Sequence, residues 1–201
     1  MATIAVFHSA LGVLPGITDA ADRLRHAGHE VHVIDQYGGT SFADYVSAGS
    51  HVEQIGFPAL MRSALDLTAD LPDGFLVAGF SNGAGMAEHV ALHRNVAGAL
   101  LFSGALPLSY LGADSWPGYV PVQLHFATSD PFRTESWVSE LVRDVRASGA
   151  PLEFHEYAGS GHLFTDPSRS EEYDAAASDL LWQRVHEFLQ AHVPSDTRVS
   201  T

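Results

Sequence analysis

The sequence predicts an α/β protein built on a doubly wound, mostly parallel sheet. Six short apolar runs alternate with helical patterns along its 201 residues, the order expected of a parallel sheet with crossover helices. Most of the runs are hydrophobic throughout and not alternating, as befits strands covered on both faces. Glycines stand where helices should end, at Gly28 and Gly149.

Thr3 to Phe7 reads as the first strand. Ile17, Ala20, Ala21 and Leu24 then follow helical spacing within Ile17 to Ala27, and Glu30 to Ile34 is the second strand. The stretch 38–55 shows no clear period. Pro58 is placed to open a helix carrying Leu60, Ala64 and Leu67. Phe75 to Ala78 is a strand, followed by a helix over Ala84 to Arg94 and a strand over Ala97 to Phe102. The segment Ala105 to Tyr119, rich in Gly, Pro and aromatic residues, reads as a loop over the carboxyl edge of the sheet. Val122 to Ala127 and Leu152 to Tyr157 complete the strands, and Glu135 to Ala147 and Tyr173 to His192 the helices. Residues 1–193 are expected to form one domain and 194–201 a polar tail.

Composition narrows the function. A net charge of -14 argues against nucleic acid or an anionic membrane surface as partner. All ten basic residues are arginine, which excludes lysine Schiff-base chemistry, and the absence of cysteine excludes thiol catalysis and disulfides. No apolar run is long enough for a membrane-spanning helix, and the first residues carry no basic leader, so a cytoplasmic location is the expectation. His26, His29 and His32 are spaced by three but interrupted by Gly28, and no H-E-x-x-H pattern occurs; no metal and no cofactor are expected.

One motif carries chemistry. Gly79-Phe80-Ser81-Asn82-Gly83 reads G-x-S-x-G between a predicted strand and a predicted helix, the setting of the nucleophile elbow of α/β-hydrolases. The turn strains the serine backbone and crowds positions two residues either side, hence glycine there. A serine hydroxyl needs a base, and the base an orienting acid. Asp130, just past the fifth predicted strand, and His162, in the small-residue loop Ala158 to Phe164 after the sixth, follow in the order Ser, Asp, His. All three then lie at the carboxyl edge of one sheet. In this reading Ser81 attacks a carbonyl, His162 moves the proton and Asp130 orients the imidazole. The oxyanion is received by the N–H of Asn82 and by that of Ala10 in the loop after the first strand. Asp130 before Pro131 is also readable as a plain turn residue, and Asp166 before Pro167 as a turn residue more than a rival acid. His8, Ser9, Leu11, Trp116 and Phe132 are candidate pocket residues.

These pieces together resemble the dienelactone hydrolase family over almost the whole chain. The resemblance runs through Ile4 to Gly12, Ala20 to Gly39 with its Val33-Ile34-Asp35-Gln36-Tyr37, the elbow, Leu101 to Gly104, Thr128 to Phe132, Tyr157 to Asp166, and the last helix with Trp182, Phe188 and Leu189. It implies a compact α/β-hydrolase fold with a mostly parallel sheet of about six strands and helices on both faces. Three positions depart from the family pattern: Ser81 stands for the family's cysteine, Ser9 for a glutamate, and Asp166 where an arginine binds the substrate carboxylate. The expectation is a serine hydrolase cleaving a small neutral ester, thioester or lactone, as a monomer or homodimer. A non-catalytic binding protein on the same fold, or a small peptidase or amidase, is the alternative.

Overall fold

The computed structural model describes residues 1–192, so the expected tail at 194–201 lies outside the described residues. The strands are β1 (Thr3–Phe7), β2 (Glu30–Ile34), β3 (Phe75–Phe80), β4 (Val96–Phe102), β5 (Val122–Ala127) and β6 (Leu152–Tyr157). They form one sheet in the order β2-β1-β3-β4-β5-β6, and every neighbouring pair is parallel. The helices are α1 (Pro15–His26), α2 (Tyr45–Ile55), α3 (Phe57–Leu67), α4 (Asn82–His93), α5 (Glu135–Ser148) and α6 (Ala175–His192).

Because side chains alternate across a strand, each strand feeds two cores. Phe7, Phe75, Val77, Leu101 and Leu124 face one way, against Leu60 of α3, Met86 and Val90 of α4, and Leu141 of α5. Ile4, Val6, Leu76, Leu100 and Phe102 face the other, against Leu24 of α1 and Leu181, Trp182 and Phe188 of α6. The inner strands β3 and β4, and β1 after Thr3, are apolar on both faces for this reason, while β5 also buries Gln123 and His125. The edge strands differ: β2 reads EVHVI and β6 LEFHEY, with polar side chains where one face meets solvent.

Most boundaries agree with the sequence to within two residues. The main difference is α2, in the stretch without a readable period: Asp44 caps it, accepting the Ser47 N–H at 2.8 Å. A second difference is Leu67, placed on the core face of α3 by spacing but 49% exposed at the helix end, where the chain turns away. The segment 105–119 is a loop with one short 3₁₀ turn, Leu108–Leu111. Among the described residues no helix is long and apolar enough to cross a membrane.

The chain runs from β1 outward to β2, then returns to the other side of β1 as β3. That reversal opens a crevice at the carboxyl ends of β1 and β3, where ligands bind in open sheets of this kind.

Several histidines are buried neutral. His125, fully buried on β5, accepts from the Tyr157 hydroxyl at Nδ1 and donates from Nε2 to Gln123 Oε1, at 2.8 and 2.9 Å. Burial holds it well below the ordinary histidine range, with His155 and Arg184 adding to the effect. Burial likewise lowers His8, and lowers His89 to about 4. In the unfolded chain these groups protonate near pH ~6.5. Below that pH the unfolded state binds more protons, so the stability they contribute is present above it and is lost on acidification. Glu88, raised by burial, has the opposite sign and offsets part of this loss. Urea unfolding should therefore give a lower free energy at pH 5.5 than at pH 7.5, each full proton of difference contributing about 1.4 kcal/mol per pH unit. Stability that is unchanged, or that falls, between pH 5.5 and pH 7.5 would contradict the burial of neutral imidazoles.

Candidate active site

Ser81 sits between the last residue of β3 and the first of α4, with φ 54° and ψ -116°. Positive φ in a non-glycine residue costs on the order of 1–3 kcal/mol. The turn is held because the Ser81 N–H donates to Phe102 O at 2.7 Å and its carbonyl accepts the Ala84 N–H at 2.9 Å. A Cβ on Gly79 would fall on the Gly83 carbonyl, and one on Gly83 on the carbonyls of His8 and Phe7. Gly104, from β4's loop, is equally constrained: a Cβ there would meet the Ser81 carbonyl oxygen. So the motif glycines, and one the motif does not include, let three backbones approach around one serine.

The His162 Nε2 accepts the Ser81 hydroxyl at 2.7 Å, and its Nδ1–H donates to Asp130 Oδ2 at 2.8 Å. The carboxylate partner settles the tautomer, leaving Nε2 free to take a proton from serine. Asp130 and His162 are buried, while Ser81 is partly open. Asp130 Oδ1 also accepts the Phe132 N–H at 2.8 Å, so the Asp-Pro turn and the histidine contact are two uses of one carboxylate. Asp166 is turned away: it accepts the N–H and hydroxyl of Ser168 and packs on Gly16 of α1.

Asn82 is the first residue of α4, where helix N–H groups have no intrahelical acceptor. In the loop after β1, the Leu11 N–H donates to Ser9 Oγ and the Gly12 N–H to Ser9 O. The N–H of Ala10 makes no hydrogen bond among the described residues. His8 explains its orientation. Its Nε2 accepts the Gln36 N–H at 3.1 Å, so Nδ1 carries the proton and donates to Ser9 O at 2.7 Å. With that carbonyl held by His8 and Gly12, the trans peptide directs the Ala10 N–H the opposite way.

A cavity of about 480 Å³ opens beside Ser81, lined on its apolar side by Phe57, Leu106, Tyr110, Phe126, Trp137 and Val138. Of the candidate pocket residues only Phe132 lines it. Trp116 is instead buried in the core with its indole N–H on Val120 O, Leu11 is a core residue of the α1 face, and His8 and Ser9 shape the β1 loop. Nor does Asp166 make an acidic edge to the cavity, which it does not reach.

Sequence reasoning missed a clamp on the histidine loop. Glu172 Oε2 accepts the N–H of Leu163, next to His162, at 2.7 Å. Glu172 also accepts the Tyr45 hydroxyl and an Arg169 N–H. Burial alone would raise its carboxyl, but these hydrogen bonds outweigh it and hold it below the usual range. The Tyr45 ring in turn meets His162 edge-on at 5.8 Å and packs on Phe132 at 4.7 Å. The Asp44 cap signal could have placed the start of α2 and so Tyr45; nothing local in the sequence marks Glu172.

A model of the dienelactone hydrolase family matches residues 1–193. No match was found among curated proteins. Among solved structures, the chain is similar to a dienelactone hydrolase-like promiscuous phosphotriesterase, P91, from metagenomic libraries, at 19% identity and TM-score 0.79, covering 96% of this chain and 87% of that one. It is similar to a protein described as a putative dienelactone hydrolase from Klebsiella pneumoniae subsp. pneumoniae MGH 78578, at 19% identity and TM-score 0.73, covering 94% and 86%. It is also similar to Thermogutta terrifontis esterase 2 phosphoramylated by tabun, at 15% identity and TM-score 0.64, covering 96% and 85%. Likeness at these identities concerns the fold.

The glycine geometry gives a direct test. Gly104→Ala should destabilise the protein by about 1–3 kcal/mol, as overpacking does. Gly49→Ala, in α2 with nothing within 4 Å of the added Cβ, should be neutral or stabilising by up to ~1 kcal/mol. Thermal unfolding of the two variants, measured side by side, separates them; equal shifts would contradict the close approach at Ser81.

Proposed function

The chain belongs to the dienelactone hydrolase family and is a hydrolase, and from that premise we propose that it cleaves small uncharged carboxylic esters, thioesters or lactones with Ser81 as nucleophile. The observation that carries this reading is the continuous hydrogen-bonded chain from Ser81 through His162 to Asp130. Ser81 Oγ bonds to the carbonyl carbon while its proton passes to His162 Nε2. The resulting imidazolium is stabilised by Asp130. The tetrahedral oxyanion is received by the N–H groups of Asn82, at the start of α4, and Ala10, in the loop after β1. Collapse expels the alkoxide or thiolate, which takes the proton from His162. Water then repeats the sequence on the acyl-enzyme, releasing the acid and restoring the serine.

Serine in place of the family's cysteine suits this ester chemistry, because His162 Nε2, in hydrogen-bond contact with the Ser81 hydroxyl, is positioned to act as general base at the moment of attack. An organophosphorus reagent is an apt probe, since one structurally similar esterase carries a phosphoramyl group from tabun. Intact-mass measurement after exposure to a fluorophosphonate should show one adduct on the wild type and none on Ser81→Ala, with ester turnover lost in the variant. Turnover unchanged in Ser81→Ala would remove the assignment; saturable ligand binding with neither adduct nor turnover would favour a binding protein.

His8 is a positioning residue in this scheme, acting through the Ser9–Ala10 peptide. Loss of a whole oxyanion donor costs about 10²–10³ in kcat, and a loosened donor should cost less. His8→Ala should therefore lower kcat about 10- to 100-fold with KM little changed, whereas a purely structural role would reduce the amount of folded enzyme and leave kcat per active site intact. Titrating the active sites before the kinetic measurement distinguishes the two.

A further inference from the structure

We propose that the cavity beside Ser81 is an acyl pocket for an uncharged aliphatic or aromatic group, its depth set by Leu106. This rests on the serine-hydrolase reading and names its substrate class. The volume, about 480 Å³, lies in the range of small-molecule sites. Of its fifteen lining residues none is Asp, Glu or Arg, and the single ionisable group with a role in the reaction is His162. A carboxylate carried into that space would leave water without a partner charge, an unfavourable transfer. The pocket is thus built for the opposite of a charged dienelactone.

The cavity has a floor and a mouth. Tyr110 and Phe132 are 60% and 53% exposed and mark the mouth. The Phe132 ring packs on His162 at 4.7 Å, so a leaving group protonated by His162 departs on that side. Val138, Ala105 and Phe126 are buried and form the interior. The group that stays bonded to Ser81 occupies this interior.

Leu106 is fixed there from two directions. Its side chain lies against the bare backbone of Gly85, where an added Cβ would come within 2.5 Å of Leu106 Cδ1 and 3.5 Å of Phe57 Cζ. Its N–H donates to the carboxyl of Glu88, one turn further along α4, at 3.1 and 3.3 Å. Glu88 is fully buried and has no other use in the scheme above. A buried carboxyl spent on one backbone N–H makes sense as the anchor that holds the pocket wall in place.

The test is a series of p-nitrophenyl acyl esters from acetate to decanoate, with phenylacetate and the monoanionic glutarate ester, on enzyme titrated with a short-chain fluorophosphonate. The expected kcat/KM rises roughly fourfold per methylene to a limit and then falls. Phenylacetate should exceed acetate by at least about 10-fold, and the glutarate ester should lie at least about 100-fold below the uncharged ester of equal length. Leu106→Ala should move the limit to longer chains and Leu106→Phe to shorter ones, so that if one variant does not fold the other still reports. A titratable enzyme with a flat series, a preference for acetate, or equal use of the glutarate ester would overturn the pocket and leave the serine mechanism standing. Absence of both titration and turnover would overturn the two together.

Discussion

The close approach of three backbones around Ser81 is the constraint on which the rest of the structure depends. β3 must turn into α4 within one residue, β1 must run beneath the first turn of that helix, and the chain leaving β4 must pass over the serine carbonyl. Side chains at Gly79, Gly83 or Gly104 would each strike a backbone atom. Their absence places the strained Ser81, the N–H of Asn82 at the start of α4 and the β1 loop within one crevice. The strain is sustained by hydrogen bonds on both sides of the serine and by apolar β3 and α4, whose burial far exceeds its cost.

Around that crevice the fold uses buried polar groups to fix loop backbones. His8 holds the Ser9 carbonyl, Glu88 the Leu106 N–H and Glu172 the Leu163 N–H. Each therefore sets a loop that contributes to the site without itself lining the cavity. Loops carry the chemistry in α/β proteins because the sheet ends there, and loops need such anchors since they lack the ladder hydrogen bonds that hold strands. A half-buried glutamate with three kinds of donor is a rigid anchor, and Tyr45 links it to the imidazole that has to keep its orientation.

The surface and the cavity have opposite characters. The chain carries a net charge of -14, while the space beside Ser81 is walled by aromatic and aliphatic side chains. An acidic exterior disfavours anionic ligands at long range and an apolar interior disfavours them at contact. The two effects act in the same direction on any carboxylate substrate. The departure of Asp166 from the family pattern contributes less than its charge suggests, because its side chain is occupied by Ser168 and faces α1.

The sequence by itself determined the sheet, its helices and the three residues that line up at its carboxyl edge. Those signals are local or periodic: continuous apolar runs for buried strands, spacing of three and four for helices, glycines two residues either side of a serine. It did not reveal α2, whose apolar face is narrow and whose start is marked by one Asp44 cap. Nor did it separate Trp116, which packs in the core, from Phe132, which lines the cavity, since an aromatic residue in a loop reads the same in either place. Only the tertiary structure decided which loops meet over Ser81, that Tyr45 and Glu172 brace His162 across 127 positions of chain, and that the pocket wall hangs on Glu88. The physical reason is that these contacts join residues far apart in sequence. Their geometry is set by how the two layers of helices close on the sheet, and no local pattern encodes that closure.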